Sequence, residues 1–341
     1  MTFCDVISLE NLFVAWREFS KGKRGHREVA KFELRLEEDL FSLHRRLASG
    51  EWKNDPYVRR VISDPKPRVI HIASVRDRIL YQAVYQQLYQ IFDATFIHDS
   101  YASREGKGTH AGVRRLEEFS RKVSANYTKR AFVLECDIKK FFDNIDRALL
   151  FRLIAKRISD ERLLALIHTI LASFVVESGK GLPLGNVTSQ LFANIYLHEL
   201  DQFVKHRLKA RYYIRYCDDF VLLHECRELL ETWTENIHAF LRDHLLLELH
   251  SNKVTIRKLR QGADFLGYVT LPHYRALRTR TKNRMLKRLA TLAGSIQTAN
   301  DFDAAIPVLS SYLGMLSHCS GERTRQKIQD FFSSSVCVPR K

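Results

Sequence analysis

Apolar positions recur along this chain with two periods. Leu36, Leu40, Leu43 and Leu47 fall 4, 3 and 4 residues apart. That is the spacing of one helix face, because side chains three and four apart lie on the same side. The helical period returns at Leu163, Ile167, Ile170 and Phe174, at Phe192, Tyr196, Leu200 and Phe203, and through the leucine-rich stretch 226–250. A period of two marks Arg68-Val69-Ile70-His71-Ile72, a strand that follows the turn signal Asp64-Pro65-Lys66-Pro67 and precedes a helix opening at Asp77-Arg78. Phe132-Val133-Leu134-Glu135-Cys136 reads as a buried strand ending on Asp137. Another strand pair is expected around 253–256 and Phe265-Leu266-Gly267-Tyr268, followed by a helical tail over 275–341.

One stretch breaks the apolar pattern in a chemically suggestive way. Tyr212-Tyr213-Ile214 and Val221-Leu222-Leu223 read as two strands, and between them lies Arg215-Tyr216-Cys217-Asp218-Asp219-Phe220. Adjacent acids are costly to bury unless something positive sits on them. A hairpin with two carboxylates at its turn is therefore a candidate site for a hard cation such as Mg2+. The plainer reading is a solvated Asp-Asp turn. Asp137 is open in the same way: a carboxylate at a strand's end can face a site, or it can cap the next helix.

Composition narrows the classes. With 341 residues, 45% of them hydrophobic, the chain suits two or three packed subdomains. No run of about 18 apolar residues suggests a membrane span, and the acidic start is unlike a secretion signal. Six scattered cysteines, none in a Cys-x-x-Cys pair, point away from a zinc ribbon and towards a reducing compartment. A net charge of +16 calls for a polyanionic partner, with nucleic acid ahead of an anionic membrane. Lys21, Lys23, Arg24, Arg27, Lys31, Arg45 and Arg46 crowd the first 50 residues, either as a backbone-binding surface or as a solvated face. Arg68 at a hairpin base can offer its planar fork to a phosphate. The loop Ser100 to His110 is basic and Gly-punctuated but lacks the P-loop spacing. In the loop Gly181 to Gln190, two glycines would let backbone approach a ligand closely.

Taken in order, these motifs resemble those of the reverse transcriptases of bacterial retroelements, over nearly the whole chain. Arg68 through Arg78 and Ser100 to His110 resemble two fingers motifs, and Asp137-Ile138-Lys139-Lys140-Phe141-Phe142 resembles the first catalytic motif of the palm. Gly181 to Gln190 resembles the motif that positions template and nucleotide, and Tyr216-Cys217-Asp218-Asp219 the Tyr-x-Asp-Asp box. Leu247-Glu248-Leu249 through Lys253 and Phe265-Leu266-Gly267-Tyr268 resemble a further palm motif and the primer grip. The resemblance implies an α+β right-hand polymerase fold: a helical extension (1–55), fingers (56–130), an antiparallel-sheet palm (131–270, with inserted helices around 148–180) and a helical thumb (271–341). It implies RNA-directed DNA synthesis on two Mg2+ ions, with Mn2+ able to substitute, held by Asp137, Asp218, Asp219 and the Ile138 carbonyl.

The same resemblance assigns further roles. Arg68 would clamp the triphosphate, Phe142 would exclude a 2′-hydroxyl, Leu184 and Gly185 would line the nucleotide, and Lys253 would protonate the departing pyrophosphate. Arg104, Gln190, Phe265, Leu266 and Gly267 would hold template and primer. The plainer alternatives are a core Phe142 and a surface Lys253. Expected partners are an RNA template, a DNA or RNA primer, dNTPs and a small basic accessory protein, with no membrane, in the cytoplasm of a bacterium or its phage. The sequence Leu184-Gly185-Asn186-Val187-Thr188-Ser189-Gln190, where most reverse transcriptases have Gln before the glycine and Ser-Pro at its end, resembles the enzymes of diversity-generating retroelements. Cys217 stands where Met, Val or Ala is more usual. No acids for an RNase H domain cluster after residue 270, and no Cys/His endonuclease module is present. Rival readings are a nucleotide cyclase, a non-catalytic RNA-binding palm, and an untemplated or other defence-associated polymerase.

Overall fold

The computed structural model describes residues 1–62, 67–174, 179–296 and 298–335. Asp64, Pro65 and Lys66 of the expected turn, and Cys337, lie outside the described residues. The chain divides into two compact units, each built from three stretches. Met1–Glu105, Ile138–Ala210 and Thr234–His250 form the first; Gly106–Asp137, Arg211–Trp233 and Ser251–Lys341 form the second. This division cuts across the four consecutive segments expected from the sequence, because strands from distant stretches must pair to complete one sheet.

The first unit is mainly helical. The leucine stripe forms the helix Leu36–Ala48, with Leu40, Leu43 and Leu47 buried. Each buried leucine contributes about 1.5–3 kcal/mol by leaving water. The long helix Val75–Asp93 begins two residues before the expected Asp77, because the Ser74 hydroxyl caps it by accepting the Asp77 N–H. Asp77 is fully buried, and its carboxyl accepts hydrogen bonds from the Trp52 indole at 3.2 Å and the Asp55 N–H at 2.8 Å. That staples the chain entering the unit's hairpin, β1 (Val58–Ile62) against β2 (Arg68–Ile72), to the helix start. The helix Val187–Gln202 buries Phe192, Tyr196 and Leu200 as its period required, and Phe203 stacks on Phe240 at 4.2 Å.

The second unit holds two antiparallel sheets. In the first, β3 (Phe132–Asp137), β4 (Tyr212–Tyr216), β5 (Asp219–His224) and β6 (Thr255–Lys258) lie in the order β4-β5-β3-β6. In the second, β7 (Ala263–Phe265), β8 (Tyr268–Leu271) and β9 (Tyr274–Leu277) form a meander. Three expectations are corrected. Stretches 253–256 and 265–268 are not partners: β6 pairs with β3, while 265–268 is the turn joining β7 to β8. Lys253 ends a short 3-10 turn before β6. The tail becomes helical only at Thr279, since Arg275 lies in β9, which pairs with β8. From there the helices Thr279–Ser295, Ala299–Leu316 and Glu322–Ser335 bury Met285, Leu289, Leu316, Ile328 and Phe332 with Tyr268. Among the described residues no helix is long and apolar enough to cross a membrane.

Candidate active site

The hairpin expected at the acidic stretch is present, and the sheet brings Asp137 to it. β3 and β5 run antiparallel with Asp137 opposite Asp219, and β4 pairs Tyr216 with Asp219. Cys217 and Asp218 form the turn between them, with Cys217 at φ 54°, a left-handed conformation that favours glycine. Holding a non-glycine residue there costs on the order of 1–3 kcal/mol. Part of the restraint is Arg215, which is fully buried and donates from Nη1 to the Cys217 carbonyl at 3.2 Å. Both turn acids are held towards the protonated form. For Asp218 the main cause is burial, with the Asp137 charge adding to it. For Asp219, burial, the Asp218 charge and a hydrogen bond with Asp137 push the carboxyl up to about 7.

Lys253 meets the same group. Its ammonium lies 2.5 Å from Asp137 Oδ2, and it is half exposed while Asp137 is mostly covered. The antiparallel ladder explains the meeting: β3 and β6 pair Glu135 with Thr255, so Asp137, two residues after Glu135, comes opposite Lys253, two residues before Thr255. Among the described residues, no three His, Cys, Asp or Glu side chains are converged as a ready-made metal cage. The donor chemistry nevertheless fits a hard divalent cation. Three carboxylates stand at the same end of one sheet, and burial, with the neighbouring carboxylate charges adding to it, raises the proton affinity of two of them.

Two residues of this region carry no role in the sequence reading. One is Arg215, a charge inside the apolar strand Tyr212–Tyr216. The other is Glu135, on the same face of β3 as Asp137 because strand side chains alternate. Its carboxylate accepts the Asp264 N–H at 2.7 Å on Oε1, and Arg257 at 2.7 Å and the Thr255 hydroxyl at 3.2 Å on Oε2. A charged residue in an otherwise buried strand was the available signal in both cases. The expected primer grip is a tight turn: Phe265 pairs with Tyr268, and Leu266 and Gly267 both have positive φ, 54° and 87°. The Gly267 carbonyl accepts the Arg278 N–H at 2.9 Å.

The remaining expected residues lie in the first unit. Arg68 is exposed at the first position of β2. The Leu184 carbonyl accepts the His71 N–H of the same strand at 3.2 Å, and Gly185 follows with φ 112°. Phe142 is half-buried and packs edge-on against the buried Phe141, ring centres 5.3 Å apart. Ile138 is buried and forms an isolated antiparallel bridge to Leu249. Gln190 is exposed, and its Oε1 accepts the Ser103 hydroxyl at 3.1 Å. Two expectations change. Gly181 approaches its own chain rather than a ligand, since a Cβ there would lie 3.1 Å from the Asp143 carbonyl oxygen and 3.2 Å from that of Phe142. Arg104 is turned inward: it pairs with Asp93 at 2.5 Å and donates to the Ile97 and Ser100 carbonyls at 2.7 and 3.1 Å. Its fork closes the 97–104 loop instead of facing a phosphate.

An antiparallel sheet with acids at one end, flanked by helices, is the plan of nucleic-acid polymerases, and the comparison of folds agrees. The chain resembles apo telomerase from Candida tropicalis, truncated from its C-terminal domain, at a TM-score of 0.50 and 12% identity, over 69% of this chain and 59% of that one. This is the α+β right-hand polymerase fold. Residues 58–270 match the family Reverse transcriptase (RNA-dependent DNA polymerase). Protein YkfC of Escherichia coli K12 is 27% identical over 81% of each chain. The group II intron-encoded protein LtrA of Lactococcus lactis subsp. cremoris is 26% identical over 76% of this chain, which spans only 54% of LtrA. The chain belongs to the reverse transcriptase family, the RNA-dependent DNA polymerases.

Proposed function

We propose that this protein copies an RNA template into DNA from a DNA or RNA primer, with Asp137, Asp218 and Asp219 as its catalytic carboxylates. The observation that carries this reading is the pairing of Asp137 with Asp219 beside the Asp218 turn. The three carboxylates would hold Mg2+, two ions in the family's scheme or Mn2+ in their place, with the Ile138 carbonyl as a further ligand. A bound divalent ion supplies Lewis acidity that favours the 3′-alkoxide and offsets charge on the pyrophosphate. Lys253, whose Nζ lies beside Asp137, is the general acid for the leaving group. Arg68 serves the triphosphate, Phe142 the sugar, and Leu184 and Gly185 the base. Gln190, Phe265, Leu266 and Gly267 serve template and primer. The 1–55, 56–130, 131–270 and 271–341 division into extension, fingers, palm and thumb is kept as the functional one. A small basic accessory protein and a cytoplasmic setting complete the reading.

The finer reading is a diversity-generating retroelement, supported by the loop Leu184-Gly185-Asn186-Val187-Thr188-Ser189-Gln190. A Gln before Gly185 could hold a hydrogen bond near the incoming nucleotide, whereas Leu184 offers only shape. A hydrogen bond worth about 1 kcal/mol shifts discrimination roughly fivefold. Copying is therefore error-prone, and the resemblance to diversity-generating retroelements implies that the errors fall mainly opposite template adenine. One experiment tests both levels: extension of a primer on a defined RNA by the parent, Asp218→Asn and Leu184→Gln, with product sequencing and a template-free control. The parent is expected to require the RNA, Asp218→Asn to lose at least 1,000-fold in rate if it removes a group central to the chemistry (about 4 kcal/mol), and Leu184→Gln to make severalfold fewer errors opposite adenine. Normal extension by Asp218→Asn would sink the site assignment. Equal error rates would sink the diversity-generating reading, and extension without RNA would favour an untemplated polymerase.

A further inference from the structure

Glu135 has no part in the chemistry just described, yet it is the most connected carboxylate beside it. It stands on β3 two residues before Asp137, on the same face, and its side chain is only 14% exposed. Oε2 reaches across the ladder to Thr255 and Arg257 of β6, the strand that Lys253 leads into. Oε1 leaves the sheet and accepts the Asp264 N–H of β7 at 2.7 Å. That bond ties the carboxylate sheet to the β7–β8 hairpin. Asp264 in turn is held at its side chain by Arg278 at 2.7 Å, and the Arg278 N–H closes the hairpin turn on the Gly267 carbonyl. A chain of short polar contacts thus runs from the Asp137 strand to the Leu266–Gly267 turn. Burial raises the proton affinity of Glu135, and the Asp264 N–H and the Arg257 charge oppose that rise. A carboxylate kept in such a place needs all three of its donors, since a buried acceptor without them is expensive.

We propose that Glu135 is a positioning residue: it fixes the β7–β8 turn against the Asp137 strand, and so sets where a nucleic-acid 3′ end resting on that turn meets the carboxylates. The proposal rests on the polymerase reading above. Removing the link frees the turn by a fraction of an ångström to an ångström, and a misplacement of that size costs up to roughly 100-fold in rate. Glu135→Ala should therefore lower kcat for primer extension by roughly 10- to 100-fold and leave KM for dNTP unchanged. Glu135→Gln keeps an amide oxygen for the Asp264 N–H and should recover most of that loss, even though it surrenders the charge on Arg257. A readout that needs no catalysis separates this from failure of the polymerase assignment. A primer ending in 4-thiothymidine, annealed to RNA and irradiated, should crosslink to the peptide 263–268 in the parent and in Glu135→Gln. Glu135→Ala should lose at least fivefold in crosslink yield while binding the duplex with the same Kd. Three results overturn the proposal: equal kcat in Glu135→Ala and the parent, equal crosslinking in both, or a loss that Glu135→Gln fails to recover. Absent extension by the parent with crosslinking still dependent on Glu135 would instead fault the polymerase reading alone.

Discussion

At the scale of single residues, Asp219 has the clearest measurable consequence. Its carboxyl is pushed up to about 7 by burial and by the Asp218 charge. The folded, cation-free protein therefore holds a proton there that the unfolded chain releases near the ordinary carboxylate value. That proton stabilises the fold fully at low pH, and the contribution is lost as pH rises through about 7. A divalent ion competes with the proton, so its stabilisation must grow in the same direction. Thermal melts with and without Mg2+ should show a larger upward shift at pH 8 than at pH 5, and Asp219→Asn should flatten the difference. A Mg2+ shift that is equal at the two pH values, or larger at pH 5, would contradict the carboxylate site. Phe142 gives a second test at this scale. It packs on Phe141 with one side still open, so it can act as a sugar gate without being lost from the core. Phe142→Val is expected to raise ribonucleotide incorporation at least tenfold relative to dNTP at unchanged melting temperature. Unaltered selectivity would return Phe142 to a packing role.

At the scale of elements, the loop 181–190 depends on two glycines for different reasons. Gly181 has φ 87°, its N–H donates to the Ile145 carbonyl at 2.8 Å, and a Cβ would press on the backbone of Phe142 and Asp143. Gly185 has φ 112°, but a Cβ there would meet only the His71 carbonyl, at an ordinary 3.7 Å. Alanine at either position carries a conformational cost of about 1–3 kcal/mol, and at Gly181 the steric cost adds to it. Gly181→Ala is therefore expected to lower the melting temperature further than Gly185→Ala, by about 2–4 °C for each additional kcal/mol. The reverse ranking in a melting experiment would mean that the loop can shift away from Phe142.

At the scale of the whole molecule, the +16 charge is unevenly available. In the turn between the N-terminal helices Leu9–Ser20 and Arg27–Glu33, Lys21 is paired with Glu18 at 2.6 Å and Arg24 with Glu33 at 3.2 Å. Along Thr279–Ser295, by contrast, Arg280, Arg284 and Lys287 are exposed while Met285 and Leu289 hold the other face in the core. Affinity for an RNA duplex should fall by roughly 1,000-fold or more between about 50 and 200 mM salt, as condensed counterions are released from several phosphates. Changing Arg280, Arg284 and Lys287 to Ala should flatten the slope of log K against log salt by up to about 0.9 for each phosphate that is no longer neutralised. Changing Lys21 and Arg24 should flatten it less, because Glu18 and Glu33 already offset their charge. An equal effect from the two sets, measured by titration, would spread the binding surface over both regions.

By itself the sequence determined where the acids, the hairpin and the helix faces fall. Those features follow from local patterns: alternation in 68–72, a mainly apolar run in 132–136, and three-to-four spacing in 36–47 and 192–203. The motif order was legible for the same reason, since each motif is a short string whose chemistry does not depend on its neighbours. What only the tertiary structure decided is partnership between residues far apart in the chain. No local signal says that β6 pairs with β3 rather than with 265–268, because any strand of suitable pattern can dock on a free edge, and packing alone chooses among them. The same holds for Arg104, whose exposed-looking loop hides its guanidinium on Asp93, and for Gly181, whose neighbour is its own backbone. Lys253 came to Asp137, and Glu135 to Asp264, only when the sheet closed and buried carboxylates had to find donors.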